Sequence, residues 1–236
     1  NLTQANRSDE LVYHYIVETL KFVYAQRSRL GDPRFIDLVN ITEAMLSKQE
    51  AAKLRDRINI SKTETNAKYY GPFFDSPPNK GTSHVTVIDR RGGIVSVTST
   101  VNGPFGSKLY TPSGIILNNE MDDFSRPGLP NFYDVAPSQA NFIKPGKRPL
   151  SSICPVIALY KSDLCGRQVV LGGSGGSRIT SAVIQVLFDM LTFDQSLEDA
   201  IEWPRLHHQL SPMEVEVEGD RFSEKVKNLN ITRFLD

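Results

Sequence analysis

No apolar run in these 236 residues approaches the roughly 20 needed to cross a bilayer as a helix, and no secretory signal is visible. Excess charge of either sign is also missing, since the formal net charge is +0. Nucleic acid and acidic membrane surfaces therefore find no electrostatic footprint here, and no nucleic-acid partner is expected. Cysteine is scarce: only Cys154 and Cys165, which flank what reads as one strand and its turn. In an oxidising compartment they can pair; otherwise they are small buried hydrophobes. No internal repeat is found. His207-His208 has no third ligand at metal spacing and reads as structural, so no metal is expected. The glycine run before Arg178 is not a phosphate-binding loop, because no Lys-Ser/Thr pair follows in register, and no cofactor is expected.

The 39% hydrophobic content suits a soluble globular protein of one large or two small domains. The abrupt start at Asn1 and stop at Asp236 fit a piece of a longer precursor. Asn1, Asn6, Asn40, Asn59 and Asn230 each begin an Asn-X-Ser/Thr sequon and are candidate glycan acceptors in a secreted protein.

Ser8 is read as the N-cap of a first helix, followed by Asp9 and Glu10 at the positive end of its dipole. Val12, Tyr15, Ile16, Leu20, Val23 and Tyr24 recur at helical spacing, and Gly31 with Asp32-Pro33 ends the pattern. Two shorter helices are expected, near Arg34–Asn40 and Thr42–Ile60. From Ser61 to Gly81 the pattern fails, and the prolines predict a long loop. Ile153–Tyr160 and Gln168–Leu171 read as a strand pair. Gly172-Gly173-Ser174-Gly175-Gly176 then turns into a helix striped by Ile179, Val183, Val186, Leu187, Met190 and Leu191. Ser196 caps another helix. Val215–Val217 and Ile231–Phe234 read as strands with a short helix between them.

The most informative stretch is Gly81-Thr82-Ser83-His84, which opens a β-hairpin after that loop. Val85–Asp89 and Ile94–Val101 are its strands. A two-residue loop sets Thr82 opposite Val101. A three-residue loop ending in Gly93 sets it opposite Asn102, with His84 opposite Thr100. The second register is preferred because it gathers the polar residues of both strands on one face. A threonine hydroxyl is a poor nucleophile inside a chain and a competent one at an N terminus, where its own α-amine serves as base. Asn118-Asn119-Glu120-Met121-Asp122-Asp123-Phe124 crowds three carboxylates together, a density that suits an ammonium group, a cation or water. Ser151 and Ser152, ahead of a strand, suit a carboxylate, and backbone N–H groups in Gly172–Ser177 suit an oxyanion.

In their order, these blocks resemble the γ-glutamyltransferase (γ-glutamyl transpeptidase, glutathione hydrolase) family. Thr98-Ser99-Thr100-Val101-Asn102, Phe105-Gly106-Ser107-Lys108, Pro145 to Ser152 and Glu202 to Gln209 match as well, and the first helix through Pro33 resembles the end of the family's large subunit. The resemblance implies an α+β, N-terminal-nucleophile hydrolase fold, a four-layer αββα sandwich of which this chain is part. It implies self-cleavage at Gly81–Thr82, leaving 1–81 as the end of a large subunit and 82–236 as most of a small catalytic one. Thr82 is then the nucleophile, and Thr100 positions its hydroxyl. Gly175 and Gly176 form the oxyanion hole. Asn102, Glu120 and Asp123 hold the substrate's α-amino end, and Ser151 and Ser152 its α-carboxylate. The implied partners are glutathione and other γ-glutamyl compounds, amino acid or dipeptide acceptors, and the large subunit of the same precursor. Glu120, where bacterial relatives usually carry glutamine, points to a eukaryotic member. Such members are commonly type II membrane proteins facing outward, or pass through the secretory pathway. The family precursor is longer than this chain, so an arginine of the large subunit that helps bind substrate, and any anchor, are expected outside it. Two other readings stand beside this one: a non-catalytic surface interaction protein, and a calcium-binding extracellular domain built on Glu120–Asp123.

Overall fold

In the computed structural model, residues 5–75, 81–128, 136–160, 163–219, 222 and 231–235 are described. They form two compact units: one of 1–76, 124–150 and 185–236, the other of 77–123 and 151–184. Both mix helix and strand. Among the described residues no helix is long and apolar enough to cross a membrane.

The first unit is organised on helix α1, Glu10–Arg27. Its N-cap is Asp9, whose carboxylate accepts the Leu11 N–H at 3.0 Å; Ser8 instead donates to Asn6. The cap thus falls one residue later than the sequence suggested, because both residues can cap and Asn6 engages the serine. The buried stripe also differs. Tyr13, Val17, Leu20 and Tyr24 pack with Leu206, Val215, Val217 and Phe222, while Phe22 and Ala25 pack on another side with Tyr70 and Leu210. Tyr15 and Val23 are only half-buried. Between these clusters lies a polar knot. Lys21 donates to Glu18 at 3.0 Å and to Tyr70 at 3.2 Å, and it also bonds Thr63. A buried charge of this kind is tolerable only with such satisfaction.

Helices α2 (Val39–Leu46) and α3 (Lys48–Asp56) follow. The break comes at Ser47, whose hydroxyl caps α3 by accepting from Glu50 N. Segment 34–38 is therefore not helical as expected, and one 3₁₀ turn, Ala67–Tyr70, interrupts the long loop. Asp32 is buried and accepts from Arg34 and from the backbone and guanidinium of Arg148. Those two arginines hold its carboxyl well below the usual carboxylate range.

In the second unit, β1 (Thr82–Ile88) pairs antiparallel with β2 (Ile94–Thr100), and β3 (Val156–Tyr160) with β4 (Asp163–Leu171). Cys154 lies before β3 and carries a free thiol. Cys165 falls within β4, and its side chain lies outside the described residues. Helix α4, Arg178–Thr192, starts in this unit. Ile179, Val183, Val186 and Met190 are buried as the stripe predicts, whereas Leu191 is exposed. A second stripe, Ser181, Gln185 and Asp189, is polar and equally buried. Gln185 donates to Leu206 O at 2.7 Å and accepts from Leu206 N at 3.1 Å, so its amide acts as a strand partner. Asp189 pairs with Arg7.

Helix α5 (Leu197–Glu202), capped by Ser196, leads to β5 (Leu206–His207), β6 (Val215–Glu218) and β7 (Ile231–Leu235). β6 is antiparallel to β5 and parallel to β7. The helix expected between β6 and β7 lies outside the described residues, as do Asn1 and Asn230. His207 and His208 are both buried, and His208 Nδ1 accepts from Leu210 N at 2.9 Å.

Candidate active site

Every residue singled out for chemistry falls in the second unit. The hairpin presents the first group. Its register pairs Thr82 with Thr100 and His84 with Thr98, two residues from the preferred expectation. The cause is Asp89. Its carboxylate accepts from Arg91 N at 2.8 Å and Gly93 N at 2.7 Å, and its own N–H donates to Gly93 O at 2.9 Å. The loop is therefore Arg90–Gly92, with Gly92 rather than Gly93 in the left-handed position at φ 80°. A shift of two preserves parity, so Thr82, His84 and Thr86 still share a face with Ser96, Thr98 and Thr100. The opposite face, with Val85, Val87, Val95 and Val97, is exposed.

Thr100 is the hub of the polar face. Its hydroxyl donates to Gly81 O at 3.0 Å and accepts from Asn102 N at 2.8 Å. The carbonyl immediately before Thr82 is thereby fixed. Gly81 sits at φ 89°, and a Cβ there would come 2.5 Å from Asn102 O, so only glycine fits.

Asn102 is buried at φ 69°, a left-handed conformation that asparagine tolerates. Its Nδ2 donates to Asn119 O at 3.1 Å. Its Oδ1 acceptor and its second N–H remain on that side chain. Asn119 leads into the 3₁₀ turn Glu120–Asp123. Asp123 is buried, and Glu120 Oε1 is buried with no hydrogen-bond partner among the described residues. Asn102, Glu120 and Asp123 thus supply acceptors, a set matched to an ammonium group. Ser151 and Ser152 lie ahead of β3, Ser152 buried and Ser151 exposed.

Gly175 (φ 121°) and Gly176 (φ 63°) close the loop between β4 and α4, and their carbonyls accept from Arg178 N and Ile179 N in the first turn. Their own N–H groups precede the helix, where no intrahelical carbonyl can receive them. The start of that loop meets the hairpin through a contact not anticipated from sequence. The His84 ring lies where a Gly172 Cβ would be, and it is held by Thr98 Oγ1 at 2.8 Å and Thr86 Oγ1 at 3.1 Å. The period of two already put His84 on the Thr82 face, but nothing local pointed to Gly172.

Comparison with known proteins gives a consistent picture. The family model described as Gamma-glutamyltranspeptidase matches residues 1–230. Scoloptoxin SSD14 of Scolopendra dehaani is 44% identical over 212 residues, 89% of this chain and 36% of that protein. Glutathione hydrolase proenzyme 1 of Schizosaccharomyces pombe is 42% identical over 200 residues, 84% of this chain and 31% of that protein. The chain therefore spans about a third of the length of these relatives. Among solved structures, a mutant of Helicobacter pylori gamma-glutamyltranspeptidase is similar with a TM-score of 0.56 at 36% identity, covering 65% of this chain and 84% of that one. The Pseudomonas nitroreducens gamma-glutamyltranspeptidase complexed with L-DON gives 0.54 at 38% identity, covering 64% and 81%.

Proposed function

Since the chain belongs to the gamma-glutamyltranspeptidase family, with that family's α+β N-terminal-nucleophile hydrolase fold, we propose that it carries the catalytic machinery of a glutathione hydrolase and γ-glutamyl transpeptidase. The reading rests above all on the start of β1: Thr82 follows a carbonyl pinned by Thr100, its partner across the hairpin.

Maturation begins when Thr82 Oγ attacks the Gly81 carbonyl carbon. The new C–O bond replaces the C–N bond, and the nitrogen takes the hydroxyl's proton. Water then hydrolyses the ester, leaving a carboxylate on Gly81 and a free hydroxyl and α-amine on Thr82. In catalysis that amine accepts the hydroxyl proton while Oγ attacks the γ-glutamyl carbonyl. Backbone N–H groups of Gly175 and Gly176 stabilise the oxyanion. The proton passes to the leaving amine as the amide C–N bond breaks. Water, an amino acid or a dipeptide then takes the γ-glutamyl group from Thr82. Asn102, Glu120 and Asp123 receive the substrate's α-ammonium, and Ser151 and Ser152 its α-carboxylate. The cleavage divides the chain into 1–81 and 82–236, the end of a large subunit and the catalytic small subunit.

We place the protein in the secretory pathway or on the outer face of the membrane. The sequon asparagines Asn6, Asn40 and Asn59 are all exposed, as glycosylation requires. The deciding experiment expresses the whole gene product and sequences any new N terminus. A sequence beginning Thr-Ser-His-Val, together with γ-glutamyl hydrolysis, is expected, and Thr82→Ala should lose both. Cleavage that survives Thr82→Ala refutes the nucleophile assignment.

A further inference from the structure

We propose that Asn119 is a positioning residue that builds the ammonium end of the substrate site, an inference that rests on the function proposed above. Asn102 and the Glu120–Asp123 turn come from different segments, and a site that grips one ammonium group needs them in fixed relation. Asn119 makes bonds to both. Toward the first segment, its N–H donates to Val101 O at 3.2 Å, its carbonyl accepts from Asn102 Nδ2 at 3.1 Å, and its Oδ1 accepts from Gly103 N at 2.8 Å. Toward the second, its Nδ2 donates to Asp122 Oδ2 at 3.0 Å, and its carbonyl accepts from Asp122 N at 3.1 Å.

Two further observations fit this role. A Cβ on Gly103 would lie 3.2 Å from Asn119 Oδ1 and 3.3 Å from Nδ2, so a bare glycine lets the amide close onto the turn. The bond to Asn119 O also fixes which end of the Asn102 amide is used up. It holds the NH2 end against Asn119 through one of its two N–H groups and leaves the Oδ1 end for substrate. Asn119 itself has both ends of its amide engaged, so its contribution is geometry and not contact with the ligand.

The test uses the whole gene product and two chromogenic donors, L-γ-glutamyl-p-nitroanilide and glutaryl-p-nitroanilide, which lacks only the α-amino group. Asn119→Asp keeps size and the acceptor for Gly103 N but turns a carboxylate oxygen toward Asp122. KM for the γ-glutamyl donor should rise about tenfold with kcat nearly unchanged, and kcat/KM for the glutaryl donor should stay within about threefold. The double variant Asn119→Asp/Asp122→Asn exchanges donor and acceptor and should recover most of the lost KM; it also serves if the single variant does not fold. Parallel loss on both donors, with or without recovery in the double variant, overturns the proposal in favour of a general structural role. So does an unchanged KM. A wild-type protein that hydrolyses neither donor refutes the underlying function instead.

Discussion

An alanine at Gly172 is the sharpest steric probe of this site. Gly172 does not have a left-handed φ, so alanine meets no backbone penalty there. The obstacle is the His84 ring, which occupies the space a Cβ requires. The ring can yield only by leaving Thr98 and Thr86, two hydrogen bonds worth about 1 kcal/mol each. Holding its place instead forces the loop outward, an overpacking cost of about 1–3 kcal/mol. Gly172→Ala should therefore destabilise by about 2 kcal/mol, or lower the melting temperature by roughly 4–8 °C. It should also depress kcat, because Gly175 and Gly176 move with the loop. His84→Ala should cost about 2 kcal/mol through the lost ring packing and the buried Thr98 hydroxyl left without its partner, while the exposed Thr86 hydroxyl returns to water. The decisive measurement is the double variant in thermal unfolding. With the ring gone, the new methyl has room, so the pair should be no worse than His84→Ala alone. Additive losses of about 4 kcal/mol would refute the reasoning, because contacts that share one volume must couple.

Other expectations concern charge. His208 titrates at about 3 against an ordinary 6.5, because of burial first and then the neighbouring Lys21 and His207. The unfolded chain takes up this proton first, so stability from the neutral ring is complete above about pH 6.5 and is lost as pH falls toward 3. Between pH 6.5 and 5 the loss is about 2 kcal/mol, and His208→Gln should flatten that part of the melting-temperature profile. A slope unchanged by the substitution would reject His208 as its source. Asp32, with its carboxyl depressed by Arg148 and Arg34, contributes stability above the usual carboxylate range that is lost as pH falls through and below it. Asp32→Asn should accordingly melt lower than wild type at neutral pH, with the gap closing in acid; a gap independent of pH would mean the carboxylate's charge is not what matters.

Local chemistry was legible in the sequence where it repeats over a short period. The polar face of the hairpin follows from alternation alone, and the crowding at Glu120–Asp123 is plain without coordinates. Register was not, because Asp89 decides it by capping its own loop, and a carboxylate beside Arg-Arg-Gly-Gly permits more than one loop. On α1 the apolar stripe holds at Val12, Ile16, Leu20 and Tyr24 but does not give the whole buried surface, for a different reason. Tertiary packing covers the helix on more than one side, and Glu18 and Lys21 are inside, where a stripe drawn from apolar residues has no place for them. Contacts such as His84 with Gly172, or Gln185 with Leu206, join distant segments and leave no local periodic trace. The order of the motifs was a stronger guide to family than any one of them.

The hydrogen bond from Thr100 to Gly81 makes the continuous chain its own place-holder. A hydroxyl has a single proton to give, and here it is given to the residue that the proposed cleavage would release. While that peptide bond stands, Thr82 has neither a free amine nor the help of its neighbour across the hairpin. One scission would therefore lift two blocks together, with no need of a separate activating signal. Under the proposed function Gly81 would be a part used once: its conformation serves the uncut chain, whereas Thr82 would go on to serve every later turnover.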